Sequence, residues 1–121
     1  MVNRIEIKDY FSPDIENVWE WTPLDIQSIY FRLDVYVGEK ELDSSTIFSL
    51  IVTSPEALIS RMTKDPFLWG RGYLIIKDYS FNKVEKAIKE LIRKCSEGKS
   101  TMEAFYSLNR NLFWEYSPER E

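Results

Sequence analysis

Residues 29–38 read IYFRLDVYVG, and they alternate between two kinds of side chain. The odd-numbered positions are apolar: Ile29, Phe31, Leu33, Val35 and Val37. The even-numbered positions before the closing glycine carry polar and aromatic groups: Tyr30, Arg32, Asp34 and Tyr36. Because successive side chains of a β-strand point to opposite faces of its sheet, the alternation predicts a strand with one face in the core. The other face would carry tyrosine, arginine and aspartate.

The segments on either side predict the rest of the sheet. Residues 46–53 form a β-branched run of period two, and the polar connection 39–45 joins it to the preceding strand, which favours an antiparallel hairpin. Upstream, Ile5 and Ile7 alternate with Glu6 and Lys8, and Tyr10 and Phe11 then lead to a turn that contains Pro, so this segment predicts a short first strand. Downstream, the apolar run 73–77 is typical of a central strand, and Gly-Arg-Gly at 70–72 is interpreted as the turn that enters it.

Capping residues and 3,4 spacing predict helices in the second half of the chain. Ser54 followed by Pro55 indicates a short helix that reaches about residue 63, because Ser accepts a bond from an unpaired N–H and Pro lacks that donor. The apolar residues within 84–95 recur at helical spacing and predict the longest helix. Ser100 and Glu103 have the spacing of a capping box, which predicts a further helix start.

The order of these elements, β, ββ, α, β, α, α, predicts an α+β fold. We expect a mostly antiparallel sheet of about four strands, with two to three helices packed on one face and the opposite face open. With 121 residues, of which 44% are hydrophobic, the chain is expected to form a single domain over residues 1–121.

The residue types that the sequence lacks exclude several kinds of chemistry. The chain contains no His, which excludes Ser-His-Asp and Cys-His mechanisms and removes the commonest metal ligand. We therefore predict no catalytic residue, no cofactor and no metal site. Cys95 is the only cysteine and cannot form an internal disulfide, and no apolar stretch approaches about 20 residues. These features predict a cytoplasmic protein without a signal peptide or membrane anchor.

The charged residues are distributed unevenly along the chain. The formal net charge is −4, and residues 1–45 contain four Lys/Arg against ten Asp/Glu, which gives −6 for that half and leaves +2 for residues 46–121. A surface with an excess of negative charge attracts basic partners and repels nucleic acid. The distribution favours a protein partner and disfavours a nucleic-acid partner.

Two groups of residues are candidates for binding that partner. The first group lies on the non-core face of the long strand, and Tyr and Arg are enriched at protein interfaces. It comprises Tyr30, Arg32, Asp34 and Tyr36. The second group consists of alternate carboxylates in the hairpin connection, which fit a solvated tip, an acidic docking patch or, least well, a hard-cation site. It comprises Glu39, Glu41 and Asp43. Together with Asp34 these carboxylates would steer a basic partner.

Trp19 and Trp21 lie two residues apart in a segment with neither helical nor strand periodicity. Tryptophan contributes heavily both to the cores of small domains and to interfaces. The sequence leaves both roles open for these two residues, although at least one is expected in the core. We interpret the segment as a loop that large rings hold against the core.

Four motifs occur in a fixed order along almost the whole chain. They are Trp21-Thr22-Pro23 ahead of the long strand, Phe48–Val52 followed by Ser54-Pro55, Gly70–Ile76, and the closing helix that leads to Trp114-Glu115. In order and spacing they resemble the immunity protein 8 family of bacterial polymorphic toxin systems. The resemblance implies an α+β protein that is held in the cytosol and that binds and neutralises the toxin encoded beside it. It implies no catalysis.

The expected mechanism is stoichiometric inhibition, in which the domain covers the active site of the toxin. A basic nuclease is one toxin that the acidic half would attract. Alternatives are a small nucleic-acid-binding α+β module, a protein-interaction domain without a toxin partner, and a carboxylate-dependent hydrolase, for which the sequence offers no paired acid and base. We expect no contact with nucleic acid or membrane. The sequence does not indicate which oligomeric state the protein adopts.

Overall fold

The computed structural model describes residues 4–63 and 66–115. Within them the chain forms five strands and three helices. In chain order these are β1 (Ile5–Phe11), β2 (Tyr30–Glu39), β3 (Thr46–Thr53), α1 (Pro55–Ser60), β4 (Tyr73–Ile75), α2 (Phe81–Ser96), α3 (Thr101–Leu108) and β5 (Phe113–Trp114). The predicted α+β class is confirmed.

The strands form one sheet in the order β1-β2-β3-β4, and β5 also pairs with β3. The β1–β2, β2–β3 and β3–β5 pairs are antiparallel, whereas β3 and β4 are parallel. The mostly antiparallel sheet and the β2–β3 hairpin are therefore confirmed. The fifth strand was not predicted, because two residues are too few to show a period in the sequence.

The prediction that residues 73–77 form a central strand is wrong. β4 covers only Tyr73–Ile75 and, among the described strands, pairs with β3 alone, so it lies at an edge of the sheet. Leu74 packs against the core and Ile76 belongs to it, whereas Ile75 is 53% exposed. A run of apolar residues in the sequence does not reveal whether both edges of the strand are paired. In this run the apolar side chains also point to both faces of the sheet, and only one of these faces lies in the core.

The core forms where the inward side chains of β2 meet those of β3. The register pairs Phe31 with Val52, Leu33 with Leu50 and Val35 with Phe48, and all six side chains are buried. Burial of each such side chain contributes about 1.5–3 kcal/mol. The alternation of β2 thus places its apolar residues in the core, as the sequence predicts.

The helices α2 and α3 close the core on the side of these inward residues, whereas α1 has no buried residue. The buried residues of α2 are spaced along one stripe and join the same cluster as the strands, and they include Val84, Ile88, Ile92 and Cys95. Ser100 and Glu103 form the predicted capping box at the start of α3. The first helix was predicted to reach about residue 63 but ends at Ser60, where Arg61 N–H bonds back to the Leu58 carbonyl and tightens the last turn.

Aromatic rings hold the connection between β1 and β2 against the core. The Trp21 ring lies edge-on to Phe31 at 5.6 Å and to Tyr79 at 5.5 Å between centroids. Trp19 contacts Phe81 at 4.6 Å but remains half exposed. Burial raises the pKa of the Tyr79 hydroxyl to about 12, so this ring is neutral near pH 7. The interpretation of this segment as a pinned loop is confirmed.

Gly72 occupies a position that only glycine suits. Its φ is 82°, and a Cβ placed on it would overlap the ring of Phe113. We expect Gly72→Ala to lower the free energy of unfolding by about 1–3 kcal/mol, because the substitution combines a left-handed backbone with overpacking. Urea unfolding monitored by far-UV circular dichroism measures this change.

Gly70→Ala is the matched control for Gly72→Ala, since a Cβ at Gly70 meets no atom within 4 Å. We expect this control to unfold within about 0.5 kcal/mol of the parent protein. Equal stability of the two variants would show that neither the backbone angle nor the Phe113 contact constrains the turn into β4.

Candidate functional site

The sheet has one face that the core does not use. We call it the open face; it includes Tyr30, Arg32, Asp34 and Tyr36 of β2, Ile47, Ser49 and Ile51 of β3, Phe11 of β1, Tyr73 and Ile75 of β4, and Phe113 of β5. These residues share a face because their strands pair them directly or because they alternate with core residues. None of them belongs to the buried core cluster of the described chain, and Phe11 and Phe113 are about half exposed.

A fixed arginine lies near the middle of the open face. Arg32 Nε donates to Asp34 Oδ1 at 2.9 Å, and Ser49 Oγ donates to the same carboxylate oxygen at 2.8 Å. The carboxylate is buried, with Asp34 only 7% exposed, whereas the Arg32 side chain is 53% exposed. Within the described residues the hydrogen bonds of Arg32 use Nε and Nη2, and none involves Nη1.

One end of the open face carries a stack of cation and ring. The guanidinium carbon of Arg61, just beyond α1, lies 3.5 Å from the centroid of the Tyr30 ring. Burial and a hydrogen bond with Tyr73 raise the pKa of the Tyr30 hydroxyl, so the phenol is neutral at physiological pH. The Tyr30 ring is thus fixed between a cation above it and a second tyrosine beside it.

The other end of the open face approaches the hairpin turn between β2 and β3. Tyr36 is half-buried opposite Ile47, and the turn beyond it carries Glu41 and Asp43, which are exposed. β2 is ten residues long, so this end lies about 30 Å from Tyr30. The acidic end and the end with Arg61 are therefore far apart on one surface.

The structure places the predicted partner-binding residues in three environments. Tyr30, Arg32, Asp34 and Tyr36 are brought together on the open face. Glu39 accepts a hydrogen bond from the Thr101 hydroxyl at the start of α3, so its side chain turns toward the helices. Glu41 and Asp43 stand apart in the turn. A partner-binding role for each of these residues stays a prediction.

Asp34 is buried, whereas electrostatic steering requires carboxylates that are exposed to solvent. Its charge is paired with Arg32 at 2.9 Å, and its oxygens face protein donors. A paired, buried charge contributes little to the field at long range. Among the four predicted carboxylates, the exposed ones are Glu41 and Asp43.

Sequence reasoning missed an exposed apolar segment between α1 and β4. We call residues 66–69 the apolar loop; its side chains Phe67, Leu68 and Trp69 are 63%, 43% and 85% exposed. Three consecutive large apolar residues between Pro66 and a glycine form a run too short for a strand or helix. This short apolar run was the feature of the sequence that could have indicated a binding segment, because a group of large apolar side chains exposed to solvent commonly marks an interaction site.

A second arginine stack follows the apolar loop. The guanidinium carbon of Arg71 lies 4.7 Å from the centroid of the Phe113 ring on the open face. Arg71 also donates to the carbonyl and the side-chain oxygen of Asn109 and to the Leu112 carbonyl. The end of the loop is thereby tied to β5.

The described residues also contain a cavity of about 290 Å³ between α2 and β4. Its walls are mostly apolar, with Leu74, Ile88 and Leu91 among them, and Arg110 also lines it. Over the described ranges no three His, Cys, Asp or Glu side chains are grouped to hold a metal ion. In the same part of the chain, no helix has the length and apolar character needed to cross a membrane.

Comparison with known proteins gives one result. The family model of immunity protein 8 matches residues 5–118. Comparisons with curated proteins and with solved structures give no significant match. Because the match runs from β1 through the residues after β5, it covers nearly the whole chain, and the motifs that suggested this resemblance lie within it. The chain belongs to the immunity protein 8 family, which implies an immunity protein of toxin systems.

Proposed function

We propose that this protein binds a cognate toxin through the open face and neutralises it by covering its active site. The observation that carries the proposal is the arrangement around Arg32, a half-exposed guanidinium that Asp34 and Ser49 hold in place on an uncovered sheet. An arginine fixed before binding loses little conformational freedom when it meets a partner. Arginine and tyrosine are also enriched among the residues that contribute most of the binding energy at interfaces.

The size of the open face supports this role. A stable complex of standard size buries about 800 Å² on each partner. β2 extends about 30 Å, and the spacing of about 4.8 Å between strands makes the four neighbouring strands about 15–20 Å wide. The projected area is on the order of 500 Å², and side-chain relief and the adjoining loops add accessible surface. The open face with its flanks therefore suffices for one standard interface.

The chemistry of the face disfavours the nucleic-acid alternative. Single-stranded RNA is bound on open sheets by aromatic rings whose faces are free to stack on bases. In this protein Arg61 covers the Tyr30 ring and Arg71 lies over the Phe113 ring. Because arginine side chains of the protein itself cover these rings, the covered ring faces cannot stack on bases. The arrangement fits a preformed protein-binding surface better than an RNA-binding one.

Expression of the neighbouring toxin domain tests the proposed function. We expect the domain to kill cells when expressed alone, to be tolerated with this protein, and to co-purify with it at one-to-one stoichiometry. Titration of the purified toxin should abolish its activity at one equivalent, and the inhibition should be competitive with substrate if the active site is covered. Protection without a complex, or a complex that retains full activity, would contradict the proposal.

Steering by the hairpin turn gives a kinetic prediction. We expect Glu41→Lys combined with Asp43→Lys to slow association with a basic toxin about tenfold at low salt. Both carboxylates are exposed, so they attract a basic partner and their reversal does not disturb the core. The difference should shrink at high salt as the charges are screened. Stopped-flow association at two ionic strengths measures it.

The matched control for steering reverses two other exposed carboxylates, Glu90→Lys in α2 and Glu97→Lys at its C-cap. These lie on the helical side of the molecule and change the net charge equally. Equal slowing by both pairs would mean that net charge alone, and not its place at the turn, governs association. No slowing by either pair would remove the steering role.

A further inference from the structure

The apolar loop presents a concentrated apolar surface to solvent. Trp69 is 85% exposed and Phe67 is 63% exposed, and they are separated only by Leu68. Large apolar side chains that are exposed singly are ordinary, whereas a contiguous group marks a site of association. Tryptophan is the residue most enriched among interface hot spots.

Two arginine stacks hold the connection that contains this loop beside the open face. Before the loop, Arg61 lies over Tyr30, and after it, Arg71 lies over Phe113. Both rings belong to the open face, so the connection begins and ends against that surface. The loop is therefore continuous with the proposed toxin-binding surface and is flanked by two positive charges.

We propose that the apolar loop inserts Trp69 into an apolar pocket of the toxin whose rim carries carboxylates. This inference rests on the proposed function and adds a second element to the same interface. The partner would meet the molecule in one orientation, with acidic groups toward Arg61 and Arg71 and basic groups toward Glu41 and Asp43. Arg61 lies over Tyr30 at the start of β2, about 30 Å from the hairpin turn, whereas Arg71 lies over Phe113, which pairs with Ser49 nearer the middle of the sheet. A reversed orientation would bring like charges together at the Arg61 end and at the turn.

The charges favour a toxin over two other occupants of the loop. In a two-fold contact between copies of this chain the same patch meets itself, so the arginines beside one loop would face those beside the other. An anionic membrane would attract Arg61 and Arg71, yet it would repel the exposed carboxylates of the hairpin turn. A protein surface with charges of both signs satisfies both ends.

The test measures the affinity of this protein for the toxin domain encoded by the neighbouring gene. The toxin domain is used as a variant without enzymatic activity. We expect Trp69→Ala to weaken the complex by about 30-fold or more in isothermal titration calorimetry. Met102→Ala is the control, since Met102 is also exposed but lies on α3. We expect it to change the affinity less than about twofold, and both variants should keep the parent melting temperature.

A second variant tests the charged rim. Arg61→Glu should weaken the complex more at low salt than at high salt, because it places a like charge opposite the carboxylates of the toxin. An unchanged affinity for Arg61→Glu would contradict the acidic rim. Trp69→Phe should bind with intermediate affinity if the pocket is apolar and shaped for a large ring.

The outcomes separate this inference from the proposed function. If the parent protein binds the toxin and Trp69→Ala binds equally well, the inference is overturned and the proposed function stands. If the parent protein does not bind the toxin at all, both fall. Binding of the parent protein to phosphatidylcholine–phosphatidylglycerol vesicles that Trp69→Ala abolishes would assign the loop to a membrane, and a dimer that Trp69→Ala dissociates would assign it to a second copy; either result overturns the inference.

Discussion

Trp114→Ala is expected to lower the free energy of unfolding by about 3–5 kcal/mol. The Trp114 side chain is 6% exposed and stacks on Phe48 at 5.7 Å between ring centroids, with Phe105 at 5.5 Å. Its Nε1 donates to Thr46 Oγ1 at 2.8 Å, so its removal also leaves that bond unmade. The rings around the vacated space come from β3 and α3 and cannot collapse together without moving either element.

The size of this loss decides how the variant behaves. A domain of this length is stable by about 5–15 kcal/mol, so the substitution removes a large share of the total. Trp69→Ala is the matched control, because it makes the same chemical change at a side chain that is 85% exposed. We expect that control to unfold within about 0.5 kcal/mol of the parent protein in urea.

Comparable unfolding of Trp114→Ala and Trp69→Ala would contradict the packing of β5 against β3. A smaller denaturant dependence for Trp114→Ala alone would have a different meaning, because it would indicate a native state that has already lost the β5 strand. Far-UV circular dichroism and tryptophan fluorescence, followed on the same samples, separate these two outcomes.

Trp114 also illustrates which parts of the fold the sequence can predict. β2 was predictable because nine residues of alternation, 29–37, report a half-buried strand without knowledge of its neighbours. β5 has two residues and exists because Phe113 and Trp114 pair with Ser49 and Phe48 more than sixty positions earlier in the chain. A pairing of that kind is decided by tertiary contacts, which local periodicity does not contain.

The candidate site was predictable to the same extent. Alternation placed Tyr30, Arg32 and Asp34 on one face, because the period of a strand fixes the face of each residue. It did not predict that Ser49 and Arg32 would bury the Asp34 carboxylate, since that depends on the register between β2 and β3. The periodicity of the sequence likewise could not predict that Trp69 is exposed.

The register between β2 and β3 is what makes Arg32 a strong candidate for the centre of the interface. Asp34 lies directly opposite Ser49, and this pairing brings the serine hydroxyl to the carboxylate at 2.8 Å. The carboxylate is thereby fixed before it accepts from Arg32. A guanidinium held by a fixed acceptor keeps one orientation in the free protein, so its remaining donors need little reordering to bind an acceptor of the toxin.

Arg32→Ala is therefore expected to weaken the complex with the cognate toxin by about 2–4 kcal/mol, which is the range of interface hot spots. The loss should appear mainly as faster dissociation, since the substitution removes a short-range contact and leaves the exposed carboxylates of the turn unchanged. Surface plasmon resonance with the inactive toxin domain measures both rate constants.

Arg93→Ala provides a matched control, because Arg93 on α2 has a side chain 52% exposed against 53% for Arg32 and also pairs with carboxylates. Arg32→Lys keeps the charge but loses the planar fork, so it should bind between the parent protein and Arg32→Ala. Asp34→Asn should also speed dissociation, because Arg32 would lose its charged acceptor. If Arg32→Ala and Arg93→Ala dissociate at the same rate while the parent complex forms normally, the toxin binds elsewhere, and the fixed arginine serves only the sheet.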